Sequence, residues 1–95
     1  MTGLCQAIQS RWAIKFIYDG CFRLAEPYLA GSAKSGKRLL RAYQLAGQSQ
    51  SGQPQGWKLF DIDEMTGIVV TDQPFILRPE YNPNDRAMYS IYCRA

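Results

Sequence analysis

The heptapeptide Gly31-Ser-Ala-Lys-Ser-Gly36-Lys37 has the glycine and lysine spacing of a phosphate-cradling loop. Such a loop works by opening a helix whose backbone N–H groups meet the phosphates, with a Ser or Thr after the lysine to hold magnesium. Here Arg38 follows the lysine, and residues 37–45 (KRLLRAYQL) alternate as a strand does. The heptapeptide therefore reads as a flexible basic hairpin loop, and no nucleotide hydrolysis is expected. Lys34, Lys37, Arg38 and Arg41 still fall within eight residues. That cluster can hold phosphates or another anion, or form a solvated basic face.

Other chemistry is limited by what the chain lacks. It has no histidine, which removes the commonest general base near neutral pH and excludes Ser-His-Asp and Cys-His nucleophiles. Cys5, Cys21 and Cys93 are scattered, with no C-x-x-C pair. No structural zinc site has enough ligands, and the expectation is three buried, reduced thiols. Asp61, Asp63 and Glu64 cluster at a strand end. A hard cation needs about six oxygen ligands, so these three read as a solvated turn. A non-catalytic chain without cofactor or metal is expected.

Twelve aromatic residues are spread along the chain: Trp12, Phe16, Tyr18, Phe22, Tyr28, Tyr43, Trp57, Phe60, Phe75, Tyr81, Tyr89 and Tyr92. Exposed aromatics beside basic residues can stack the bases of single-stranded nucleic acid. A small domain equally needs large side chains to fill its core.

The elements that must position these groups follow from periodicity. Leu4, Ala7, Ile8, Arg11 and Trp12 keep a helical period after Thr2, a candidate N-cap, so a short helix is expected over residues 3–11. Ile14, Phe16 and Tyr18 alternate in a strand over 13–18. Asp19-Gly20 is a strong hairpin signal, because both turn residues tolerate positive φ. Residues 21–25 return as the second strand, which Pro27 is expected to end. A third strand over 37–45 sends Leu40 and Ala42 one way and Leu39, Arg41 and Tyr43 the other. Residues 46–56, built from Ala, Gly, Gln, Ser and Pro, read as a loop. Further strands are expected over 57–62, 68–71 and 87–93. One helix followed by short strands with tight turns predicts a mainly β single domain, a small antiparallel barrel of SH3-like or Sm-like kind.

A length of 95 residues suits one domain. No apolar run approaches the ~20 residues of a membrane span, and no secretory signal opens the chain, so a cytoplasmic location without membrane contact is expected. The net charge of +3 is uneven. Residues 1–48 hold seven Lys/Arg against two Asp/Glu, and residues 49–95 hold four against six. Folding can turn that asymmetry into a basic face or mix the charges within one sheet.

The order of these pieces resembles the WYL-domain family of bacteria. Phe16-Ile17-Tyr18, a turn and Arg23-Leu24-Ala25-Glu26-Pro27 look like the family's tyrosine and R-x-x-E-P segment. Gly36 to Tyr43 sits where the family has a glycine and its Trp-Tyr-Leu strand, and Lys58-Leu59-Phe60-Asp61-Ile62-Asp63 is similar to its R-x-F-x-L-D strand. The likeness covers roughly residues 4–75. Arg38 and Leu39 replace the naming Trp and Tyr, and Asp61 and Glu64 stand where relatives often carry arginine. The resemblance implies an Sm-like barrel and a regulatory role in transcription, sensing single-stranded nucleic acid or a nucleotide-like effector. Arg23 and Lys58 carry over as the remaining basic positions of the family's anion site.

The reading that follows is a ligand-sensing or single-stranded-nucleic-acid-binding module. Tyr18, Arg23, Lys37, Arg38, Arg41, Tyr43, Trp57 and Lys58 are its candidate ligand-binding residues. Its alternative is a protein-interaction or assembly module, a homodimer included, that works through exposed sheet edges or apolar loops.

Overall fold

A computed structural model describes residues 2–47 and 55–95 of the chain. Helix α1 (Thr2–Ser10) is followed by strands β1 (Trp12–Tyr18), β2 (Cys21–Ser32), β3 (Arg38–Gly47) and β4 (Gly56–Asp61), a 3-10 turn over Ile62–Glu64, and strands β5 (Thr66–Pro74) and β6 (Ser90–Arg94). The structure is mainly β with one helix at its start, and every strand pairing is antiparallel. Most of the expected loop at 46–56 lies outside the described residues.

Local sequence explains most boundaries. The helix buries Leu4, Ala7 and Ile8, one stripe at helical spacing. It includes Thr2, which therefore stands inside the first turn and not before it. Arg11 closes the helix in the left-handed region (φ 61°), its N–H donating to the Ile8 carbonyl at 3.2 Å. Asp19 and Gly20 both have positive φ, as the expected hairpin turn requires.

Strands β4, β3, β2, β1 and β5 lie side by side in that order, and β6 pairs with β2. Strand β2 is twelve residues long, which corrects the expectation that Pro27 ends it. One edge of β2 pairs with β3 from Arg23 to Ser32. The other edge pairs with β1 as far as Ala25 and with β6 from Leu29 onward. Pro27 falls in the gap between those two partners, where a missing N–H breaks no ladder bond. Tyr28 is the extra residue of a bulge against β3, between the pairs Pro27–Ala42 and Leu29–Arg41. At Gly31 the β6 backbone approaches so closely that a Cβ would collide with the Ser90 carbonyl oxygen.

The sheet buries side chains on both faces. On one side α1 covers Ile14, Phe16, Ala25, Ala30, Leu40, Ala42 and Phe60. On the other, Tyr28, Leu29 and Leu39 pack with Phe75 and Met88 from the segment joining β5 to β6. The alternation expected along β3 is therefore present, with Leu40 and Ala42 in one core and Leu39 and Tyr43 at the other.

The expectation of three reduced thiols is overturned at two positions. Cys5 and Cys93 form a disulfide across 88 residues of sequence, joining α1 to β6 at the edge of the helix-side core. Cys21 takes no part in this disulfide. No spacing motif marks the pair, since only folding brings the helix against β6. Closing so long a loop restricts the unfolded chain by about 4–5 kcal/mol on the loop-entropy account. Reduction, or the Cys5→Ser/Cys93→Ser double substitution, should lower unfolding free energy by several kcal/mol in urea titrations at unchanged strand content. An unchanged midpoint on reduction would refute the staple.

Candidate functional site

The eight candidate residues do not form one site. Cross-strand register divides them between the two faces of the sheet. Arg23 pairs with Phe16, which lies in the helix-side core, and Tyr18 packs at the margin of that core. Lys58 stands opposite Ala42, on the same face. Trp57 and Tyr43 are paired neighbours on the opposite face. Arg41 stands opposite Leu29 on the outer face, away from Arg23 and Lys58, because side chains alternate along each strand.

Arg23 is only 3% exposed. Its Nη1 donates to Gln44 Oε1 at 3.1 Å and its Nη2 to the Tyr18 carbonyl at 3.3 Å. Its guanidinium lies 5.5 Å from the Tyr18 ring centre and 5.8 Å from that of Phe60. Nε is buried without a hydrogen-bond partner among the described residues. Among the described residues no carboxylate comes within ion-pair distance of it. The neighbouring Tyr18 hydroxyl accepts from the Asp61 N–H at 3.0 Å. Burial, with smaller help from nearby carboxylates, raises its pKa above the ordinary tyrosine value.

Three of the other basic candidates, Lys37, Arg38 and Arg41, are each matched with a carboxylate. Lys37 lies 3.8 Å from Asp61. Arg38 bonds to Asp63, and that hydrogen bond holds the Asp63 carboxyl below its usual range. Arg41 grips Asp85 with two bonds, Nε to Oδ2 at 2.6 Å and Nη2 to Oδ1 at 3.3 Å. The Lys37 and Arg38 pairs are exposed and contribute little stability. They nonetheless set a negative charge beside each cation, which weakens the field that a phosphate would meet. The carboxylates at 61 and 63 read as a solvated turn from sequence; Asp61 caps the 3-10 turn, and the two pair with Lys37 and Arg38 of the basic hairpin.

On the outer face the segment after β5 builds a second cluster. Arg78 lies 3.6 Å above the Tyr43 ring centre and donates to both Glu26 oxygens, at 3.0 and 3.4 Å. The buried Tyr28 hydroxyl donates to Glu26 Oε1 at 3.1 Å and accepts from the Arg78 N–H at 3.0 Å. Trp57 packs against Tyr28 and Tyr43, with ring centres 4.7 and 5.4 Å apart. Its indole Nε1 is buried with no hydrogen-bond partner among the described residues. Beside Trp57 opens a cavity of about 230 Å³, lined by Arg41, Trp57, Glu80, Tyr81, Asn82 and Asp85.

Sequence reasoning singled out Arg41, Tyr43 and Trp57, placed Tyr28 and Tyr81 only among the aromatics, and assigned no site role to Glu26, Arg78, Glu80 and Asp85. Their partners are distant: Arg41 and Asp85 are 44 positions apart, Arg78 and Glu26 are 52. The run Asn82-Pro83-Asn84-Asp85 is rich in turn formers, which marks a bend and not its contacts.

No family model, curated protein or solved structure matches this chain. The likeness to the WYL family rests on the motifs alone.

The Glu26–Tyr28–Arg78 cluster has a pH signature. Burial, with the Glu26 carboxylate adding to it, pushes the Tyr28 hydroxyl up to about 12. An unfolded tyrosine ionises near 10. The raised value contributes stability that is complete below pH 10 and is lost as pH rises towards 12. Stability should therefore fall across that window in the wild type and fall less in Tyr28→Phe. Parallel slopes in denaturant titrations of the two proteins would refute the assignment.

Proposed function

We propose that the chain is a non-catalytic interaction module that pairs with a second copy of itself through β5. One observation carries this reading. Among the described residues strand β5 ends the sheet, bonded to β1 on one side only, and all of its residues except Thr71 are exposed. Its centre is Ile68-Val69-Val70, with Val69 57% exposed. Trp12, Ile17 and Phe22 add exposed apolar surface on β1 and β2. An open apolar edge strand offers unpaired backbone groups to another strand. Two β5 strands related by a two-fold axis would run antiparallel, and such an interface closes on itself. No helix among the described residues is long and apolar enough to cross a membrane.

The strand order β4-β3-β2-β1-β5 after a leading helix, with β2 serving partners at both ends, supports an SH3-like or Sm-like barrel. The Cys5–Cys93 disulfide suits an oxidising compartment and weighs against the cytoplasmic location expected from sequence. Sedimentation equilibrium should give a concentration-dependent dimer, and Val69→Lys with Ile68→Lys should give a monomer. A wild-type chain that stays monomeric up to millimolar concentration would end this reading.

Arg23 favours a second reading, the WYL-type sensing module. A buried guanidinium without a carboxylate among the described residues is costly, and an anionic ligand would relieve the cost. Short oligonucleotides would then bind with a log–log salt slope of about −0.7 per phosphate, and Arg23→Gln would abolish binding. Salt-independent binding, or the same affinity in Arg23→Gln, would exclude it.

A further inference from the structure

The cavity beside Trp57 is separate from the β5 edge and from Arg23, and its lining decides what it can accept. Two aromatic side chains, Trp57 and Tyr81, line it. The Tyr81 hydroxyl is directed to protein carbonyls, 3.4 Å from those of Tyr28 and Ala95, so its ring is what it offers. Asp85 is already engaged: Arg41 takes both oxygens, and the Ala87 N–H donates to Oδ1 at 3.0 Å. Arg41 is consumed in the same pair. Glu80 is left as an exposed carboxylate with no ion-pair partner among the described residues. With Arg41 and Asp85 cancelling, the lining has a net negative charge.

Negative charge and aromatic faces select a cation, the reverse of what a basic strand would suggest. The volume, about 230 Å³, lies below the roughly 300–1,000 Å³ of drug-sized sites, so it suits one side chain. The chain already shows the mode next door. Arg78 lies flat enough to bring its guanidinium carbon within 3.6 Å of the Tyr43 ring centre, while Glu26 accepts from its N–H groups. Tyr43 in turn packs against Trp57, the wall shared with the cavity. An incoming guanidinium would find the same pair of groups, an aromatic face and a carboxylate, one ring further along.

We infer that this cavity binds an arginine side chain of a partner protein, stacked on Trp57 and Tyr81 and paired with Glu80. The planar guanidinium suits both contacts, since it stacks on rings and forks onto a carboxylate.

The test uses the peptide acetyl-Gly-Arg-Gly-amide and its citrulline counterpart, a neutral isostere. Binding is followed through the Trp57 indole N–H signal in NMR spectra of the full chain. The arginine peptide should bind about tenfold tighter than the citrulline peptide. Glu80→Gln should erase that difference while the spectrum elsewhere stays folded, since Glu80 is exposed and holds no ion pair among the described residues. Equal affinity for the two peptides, a lysine peptide that binds as tightly as the arginine one, or guanosine monophosphate shifting the Trp57 signal more strongly than the arginine peptide would each overturn the assignment.

Discussion

Strand β2 carries two partners on a single edge, and the rest of the structure hangs on that arrangement. A β-strand edge must satisfy its N–H and C=O groups continuously or leave a defect. Here the edge changes partner from β1 to β6 between Ala25 and Leu29, and Pro27 stands in the change, where it has no N–H to leave unpaired. The Tyr28 bulge on the β3 side falls next to it. That local bend places Tyr28 in the outer core while Ala25 and Ala30 remain under the helix. Both cores and the Glu26–Arg78 pair are consequences of how β2 passes this point.

Strand β6 is the element through which the two faces communicate. Cys93 is bonded to the helix on one side. Its neighbour Arg94 donates to the Pro83 carbonyl at 3.1 Å, and the Ala95 N–H donates to the Tyr28 carbonyl at 2.8 Å. The disulfide therefore anchors a short strand that also supports the loop walling the Trp57 cavity. A short edge strand holding so much is marginal by its hydrogen bonds alone, which gives the covalent link a structural purpose.

Charge follows a similar logic of distant partners. The acidic half of the chain supplies Asp61, Asp63 and Asp85 to Lys37, Arg38 and Arg41 of the basic half. Arg23 stands apart from this pattern, held by an amide, a carbonyl and two aromatic rings. One buried charge and one apolar edge are the features that the fold itself does not explain, and each supports a different function.

Periodicity in the sequence determined what depends on near neighbours. The α1 stripe, the Asp19-Gly20 turn and the alternation of Leu39, Leu40 and Ala42 are local consequences of side-chain geometry and backbone preference. The failure of Gly31–Lys37 as a phosphate loop is equally local, since Arg38 begins a strand. Tertiary structure alone decided what depends on pairs far apart in the chain. Pro27 reads as a stop until β1 and β6 are known to share an edge. Cys5 and Cys93 read as isolated thiols until helix and final strand meet. Arg41 reads as a phosphate contact until Asp85 arrives from 44 positions away. The physical reason is the same in each case: periodicity assigns a side chain to a face, but only the packed chain decides what stands opposite it.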